Sequence, residues 1–158
     1  MKEIYTALIN RIKEEVPAIK WIDWDTGQLD GYTIIKGDVH RPPLKYPAAL
    51  ITIGVNSAKD IVDTIQDCVV HISIRLAFEP MERTNSEATP EVRDSALQPY
   101  DVIDNLYAAL QGYETENFHS LSRMSQGKEN SHNGLFIYRM NFKTDFEDYG
   151  ADSSQKGI

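Results

Sequence analysis

Residues 61–78 read IVDTIQDCVVHISIRLAF and contain the clearest strand pattern of the chain. From Val70 to Phe78, apolar side chains fill every second position and mixed residues fill the positions between them. Successive side chains of a strand point to opposite faces, so the alternation predicts a long strand with one apolar face and one mixed face. Such a strand is typical of an antiparallel sheet whose mixed face is open to solvent or to a partner.

The stretches on either side complete a sheet. PAALITIGV (residues 47–55) is almost continuously apolar, as in a strand buried on both faces. It is predicted to pair with the strand in residues 61–78 across a turn in residues 56–60. A second hairpin is predicted from a strand over residues 118–126, the turn GKENSHNG, and a strand over residues 135–146. AIKWIDW, residues 18–24, predicts a further short strand.

Two helices are predicted from apolar residues at helical spacing. The first covers residues 2–16 and is ended by Pro17; the second covers residues 98–111, with Pro99 in its first turn and Gly112 after its end. The order α-β-β-β-α-β-β predicts an α+β fold: a mostly antiparallel sheet with both helices packed on one face. We expect one domain over residues 1–148 and a disordered tail over residues 149–158.

Composition and charge limit the function. The chain has 158 residues and a formal net charge of −8, and its acidic excess lies entirely after residue 46. An acidic body argues against tight wrapping of nucleic acid, which requires Lys and Arg against the phosphates. No apolar run approaches 18 residues, so no membrane partner is expected, and the charged N-terminus lacks a signal core. Cys68 is the single cysteine and can form no internal disulfide.

The sequence lacks a recognisable catalytic, cofactor-binding or metal-binding motif. Gly127-Lys128 lacks the glycine spacing of a phosphate-binding loop and is interpreted as a hairpin turn. The four histidines form no metal-ligand spacing. His71 and Ser73 point the same way from one strand, but their backbones are about 6.5–7 Å apart and no third group orients the pair. We therefore expect no enzyme activity, no cofactor and no metal.

Polar and aromatic residues at strand positions are the candidate interface residues. Three of them lie on the mixed face of the long strand, two in the strand over residues 135–146 and two in the strand over residues 18–24. They are His71, Ser73, Arg75, Arg139, Lys143, Trp21 and Trp24. Aromatic and Arg residues are enriched at interface centres, although core packing accounts for the two tryptophans equally well.

Over nearly its whole length the chain resembles the tail terminator or tail-completion proteins of long-tailed phages and prophages. The matching features, in order, are IYTALINRIKEEVPAIKWID, a glycine-bearing loop, YPAALITI, QDCVVHISIRLAFEP, SALQPYDVIDNLYAALQGYE, and NFHSLSRMSQ paired with GLFIYRMNFKTDFED. The resemblance implies a ring, commonly a hexamer, that stops polymerisation of the tail tube and presents a surface to the head connector. It implies a location at the tail–head junction of the virion, and in the host cytoplasm before assembly.

The implied partners are other copies of this chain, the tail tube protein and the connector protein, with DNA only in passage. The long polar loops over residues 25–46 and 79–98 are candidate docking arms that become ordered on assembly. If the carboxylates line a ring, they would let DNA slide past without gripping it. Three alternatives stay open: another neck or head–tail connector subunit, a small metal-dependent hydrolase or nuclease, and a module that binds a small molecule.

Overall fold

A computed structural model of the chain describes residues 1–31, 33–40, 43–80, 84–131 and 133–155. Parts of both predicted docking loops (residues 32, 41, 42 and 81–83), residue 132 of the predicted turn and residues 156–158 of the predicted tail lie outside this description. The elements, in chain order, are α1 (Lys2–Glu15), β1 (Trp21–Trp24), β2 (Thr33–Ile35), β3 (Asp38–His40), β4 (Ala48–Val62), β5 (Ile65–Phe78), α2 (Pro90–Ala96), α3 (Gln98–Leu110), β6 (Ser122–Glu129), β7 (Phe136–Asp148) and a 3₁₀ turn (Ser153–Gln155).

In this part of the chain, one five-stranded sheet organises the molecule. Its strand order is β1-β4-β5-β7-β6, with β1 parallel to β4 and the other neighbours antiparallel. Strands β2 and β3 form a separate antiparallel hairpin. The α+β class, the mostly antiparallel sheet and the predicted element order are confirmed, and the two long helices pack on the sheet.

The main core lies between the helices and one face of the sheet. The helices bury apolar stripes against alternate residues of β4, β5 and β7, because residues three or four apart on a helix share one side. The core includes Ile4, Leu8 and Ile12 of α1, Ile103 and Leu106 of α3, and Ile51, Ile72, Ile74, Met140 and Phe142 of the sheet. The Arg11 Nε donates a hydrogen bond of 3.0 Å to the Ala109 carbonyl, which ties α1 to α3.

A smaller core covers part of the opposite sheet face. It is formed by Leu29, Ala48, Leu50, Ala77, Leu135 and Ile137, with Leu44 and Tyr46 packed against it. Residues 48–51 of β4 are therefore buried on both faces, as their continuous apolar run predicts. Because the loop after β1 supplies Leu29, only the remaining part of this face stays open. We call that part, which is polar, the open face.

Helix α2 lies where the sequence predicts only a polar loop. Its N-cap is Thr89, whose hydroxyl accepts a hydrogen bond from the Val92 N–H at 3.4 Å, and Pro90 occupies the first turn. Both features favour a helix start. Seven residues give too few turns for a hydrophobic period to be visible, which is why the pattern of residues 79–98 does not reveal it.

The turn between β4 and β5 lies later in the chain than the sequence predicts. Strand β4 continues to Val62 and β5 begins at Ile65, so the chain reverses at residues 63–64 instead of 56–60. Asn56 is accommodated as an extra residue, because the register shifts between Val55 and Ser57. A bulge absorbs a polar, turn-favouring residue without ending the pairing. The hairpin is consequently longer than predicted.

Candidate functional site

The end of the β4–β5 hairpin exposes apolar side chains. Strand β1 pairs with β4 only as far as Ile51, whereas β4 continues for eleven further residues. We define residues 54–67 as the hairpin end. Its exposed large apolar residues are Val55 (47%), Ile61 (51%) and Val62 (52%). Ile61 and Val62 are adjacent at the tip of the hairpin, and exposed apolar groups that form a contiguous patch mark a surface that another molecule covers.

The hairpin end and the neighbouring end of β7 are also acidic. Pairing places Asp67 of β5 opposite Glu147 of β7, and Gln66 opposite Asp148. The exposed carboxylates in this region are Asp60, Asp63, Asp67, Glu147 and Asp148, and Lys59 is the one lysine of the hairpin end. This end of the sheet therefore combines exposed apolar groups with a local negative charge.

The side of the sheet that includes the open face carries five of the predicted interface residues. The register places His71 opposite Lys143 and Arg75 opposite Arg139, with Ser73 between them. His71 and Lys143 are exposed, and Ser73 and Arg139 are half-buried. The Arg139 guanidinium donates a hydrogen bond of 3.3 Å to the Ser73 hydroxyl. The prediction that these side chains share one face agrees with the register, and their role in an interface stays a prediction.

Arg75 differs from the other four residues because it is not available at the surface: it is only 8% exposed. Its guanidinium pairs with Asp30 at 2.8 Å, Glu129 at 3.0 Å and Asp25 at 3.4 Å. The loop after β1 folds back over this end of the face and brings both aspartates with it. Arg75 is therefore part of an internal ionic network instead of an exposed surface.

The network fixes the loop and the end of β6 to the sheet. Glu129 also pairs with Arg139, so one carboxylate joins two arginines. Burial by itself would lower the pKa of the Arg75 guanidinium, but the hydrogen bond that it donates to Asp30 and the charges of Glu129, Asp30 and Asp25 raise this pKa overall. The same hydrogen bond lowers the pKa of Asp30. The arrangement favours the charged forms of Arg75 and Asp30 and holds the loop in place.

The two tryptophans lie on opposite faces of β1. Trp24 makes an edge-on contact with the Tyr5 ring of α1, with 5.1 Å between centroids and 70° between planes. Trp24 is 39% exposed and Trp21 is 37% exposed. Trp24 therefore packs partly against the helix layer, and each indole leaves more than a third of its surface free for a partner. Their use as interface anchors stays a prediction.

In the described ranges, no three His, Cys, Asp or Glu side chains are grouped so that they could hold a metal ion. Cys68 is buried, and burial, with the charges of Asp148 and Asp67, raises the pKa of its thiol. None of the helices in those ranges has the length and the apolar character that crossing a membrane would require.

A groove lies where β5 ends beside the start of α3. Phe78, Pro80, Ala96, Pro99 and Val102 provide apolar lining, and Lys20 and Glu79 also line it. An apolar groove with a few polar groups is the feature that the small-molecule alternative requires.

No family model matches the chain, and no curated protein gives a significant match. The resemblance to tail terminators therefore rests on the order of helices and strands.

Proposed function

We propose that this protein is a structural subunit of a phage or prophage tail, and that it acts by assembly instead of catalysis. As a ring, for which the resemblance implies a hexamer, it caps the tail tube, stops its polymerisation and joins it to the head connector. The observation that supports assembly best is the hairpin end, where Val55, Ile61 and Val62 are exposed on one strand. Exposed apolar groups of this kind mark surfaces that partners cover.

A ring requires two different surfaces on each subunit. Closed rings of identical subunits use a head-to-tail interface, in which one surface of a copy contacts another surface of the next. The hairpin end offers the first, and the free long edge of β6, at the opposite side of the sheet order, offers the second. The tube and connector proteins would then contact the two rims, and DNA would pass through the opening.

The test combines oligomeric state with tube length. We expect native mass spectrometry and light scattering to detect a ring whose population rises with concentration or on addition of tube protein. Electron microscopy should show shorter tubes when tube protein polymerises in its presence. A protein that stays monomeric at high concentration, with and without tube protein, would contradict the proposal.

A variant at the hairpin end sharpens the test. The double substitution Ile61→Ser and Val62→Ser should remove the ring without lowering the melting temperature, because both side chains are already half exposed. Leu97→Ser is the matched control, since Leu97 is 39% exposed at the start of α3, away from the hairpin end. Loss of the ring in the control, or its retention in the double variant, would exclude the hairpin end as the assembly surface.

The alternatives give different results in the same experiments. Another neck or connector subunit would form a ring and bind the connector, but it would leave tube length unchanged. A hydrolase or nuclease would show a reproducible activity with Mg²⁺, Mn²⁺ or Zn²⁺ that is lost on changing one carboxylate, and that result would overturn the structural proposal.

A further inference from the structure

The sheet has a free strand edge on each side. On one side, β4 loses its β1 partner after Ile51, and in the part of the chain that the structure describes, residues 52–62 pair with β5 alone. On the other side, β6 pairs with β7 alone among the described residues. A strand edge carries unpaired N–H and C=O groups and is a ready template for another strand. The eight residues of β6 are fewer than the eleven free residues of β4, so β6 could pair over its whole length.

The register shows which backbone groups of β4 face outward. The Ile51 carbonyl accepts a hydrogen bond of 3.0 Å from the Asp25 N–H, so Ile51 faces the β1 side. Because backbone groups alternate between the two sides of a strand, Ile53 and Val55 also face that side. The bulge at Asn56 shifts the alternation by one residue, which turns the N–H groups of Ala58 and Asp60 to the free edge.

The same alternation applies to β6. At its start, the Arg123 N–H donates to the Gln111 side chain at 2.9 Å, so Arg123 faces away from β7. Past the register shift between Arg123 and Ser125, residues 125, 127 and 129 face β7, and the backbone groups of Gln126 and Lys128 face the free edge. The free part of this edge therefore begins just after Arg123.

The two edges differ in charge. The hairpin end, which includes the free part of β4, exposes Asp60, Asp63 and Asp67 against Lys59. On β6, Arg123 and Lys128 are exposed, whereas Glu129 is already paired with Arg75 and Arg139. An acidic edge and a basic edge attract each other, and each repels its own kind, which favours contact between unlike edges.

We propose that the β6 edge of one copy of this protein pairs with the free β4 edge of a second copy, so that their sheets become continuous. The pairing is antiparallel, because β6 already runs antiparallel to β4 within the sheet and a ring rotation about the strand direction preserves that relation. The proposal deepens the proposed ring by naming its interface, and it rests on that function only for the closure of the ring.

Proline substitutions test each edge, because proline removes the outward N–H and is tolerated on edge strands. Ala58→Pro blocks the β4 edge and Lys128→Pro blocks the β6 edge. Each variant alone should be monomeric in native mass spectrometry, with the circular dichroism spectrum of the unmodified protein. Ala58→Val is the matched control, since valine keeps the N–H and favours strand geometry; this variant should still assemble.

Mixing the two variants gives the decisive result. The intact β6 edge of Ala58→Pro can pair with the intact β4 edge of Lys128→Pro, so an equimolar mixture should give a species of twice the single-chain mass and nothing larger. Rings formed by Ala58→Pro alone, or two monomeric variants that give no dimer on mixing, would overturn the proposal.

Hydrogen exchange on the unmodified protein covers the case in which a proline variant does not fold. The N–H groups of Ala58, Asp60 and Lys128 should exchange at least about tenfold more slowly in the assembled state than in the monomer. Unchanged exchange at these positions would refute the pairing.

These results separate the two proposals. A ring that forms through another surface and still shortens tubes would refute the pairing and leave the capping function standing. A ring built by this pairing that leaves tube length unchanged would support the pairing and refute the capping function.

Discussion

Replacing Arg75 with methionine should weaken the fold, because it leaves carboxylates buried without their partner. Removing one member of a buried ion pair costs about 3–5 kcal/mol in general. Two features reduce the cost here: the Asp30 side chain is 64% exposed and can be rehydrated, and Glu129 keeps Arg139. Asp25, whose side chain is 12% exposed, keeps a hydrogen bond of 2.9 Å from the Gly27 N–H but loses its cationic partner. We expect the free energy of unfolding to fall by about 2–4 kcal/mol.

Urea denaturation followed by circular dichroism measures this change, provided that the slope of the transition is unaltered. Lys143→Met is the control, since Lys143 is exposed on the same face and its replacement should change stability by less than about 0.5 kcal/mol. Adding Asp25→Asn to Arg75→Met should recover part of the loss, because the stranded charge is removed. An Arg75→Met variant as stable as the control, or a double variant less stable than Arg75→Met, would refute the reasoning.

Three further predictions concern the loop, the thiol and the core. The hydrogen bond from Arg75 lowers the pKa of Asp30, so this pair stabilises the protein above the ordinary aspartate pKa, and the stabilisation is lost as pH falls through the lowered pKa. Asp30→Asn should therefore flatten the acid limb of a curve of unfolding free energy against pH. The change should be about 1 kcal/mol or less, because the Asp30 side chain is exposed. Cys68 is 2% exposed with a raised thiol pKa, so a thiol reagent at mildly alkaline pH should react about a hundredfold more slowly with the folded protein than with the urea-unfolded chain, and equal rates would contradict its burial. Leu106→Ala should lower the free energy of unfolding by about 2–5 kcal/mol in urea titrations, with Leu97→Ala as the exposed control, and near-equal effects would contradict the assigned core.

Hydrophobic period alone predicted the elements that build the main core. In β5, Val70, Ile72 and Ile74 alternate with polar residues, and the structure buries these three on the helix side. The stripe of α1 behaves in the same way: Ile4, Leu8 and Ile12 are buried. Such patterns succeed because one layer of packing decides which face of an element is apolar, and the period records that face directly.

The ionic network could not be predicted in the same way. Arg75 is separated by 45 residues from Asp30 and by 54 from Glu129, and nothing in the local pattern links them. An arginine among alternating strand residues is correctly expected on the polar face. Whether that face is open or covered depends on where the loop after β1 folds, which is a tertiary property.

The length of the hairpin shows a related difficulty. Asn56, Ser57 and Asp60 are turn-favouring residues, and between two apolar runs they indicate a turn. A bulge, however, tolerates the same residues within a strand, and the two cases differ only in whether pairing resumes beyond them. Here it resumes, with Lys59 opposite Asp67. The candidate assembly surface therefore lies in the region that local sequence rules misplace.

The acidic hairpin end now has two competing uses that salt can separate. If its carboxylates line the central opening of the ring, through which DNA passes, the carboxylates of different subunits repel one another across that opening. Added salt should screen this repulsion and strengthen the ring. If Arg123 and Lys128 of a neighbouring β6 edge lie beside them, salt should weaken the ring by screening an attraction. Light scattering between about 50 and 500 mM NaCl, a range over which the Debye length falls severalfold, measures the sign. Because the β4 edge runs through Asp60 itself, strand pairing predicts dissociation with rising salt, and Lys128→Gln should reduce the salt dependence. Rings that strengthen with salt would place these carboxylates away from the subunit boundary and contradict the pairing of the two edges.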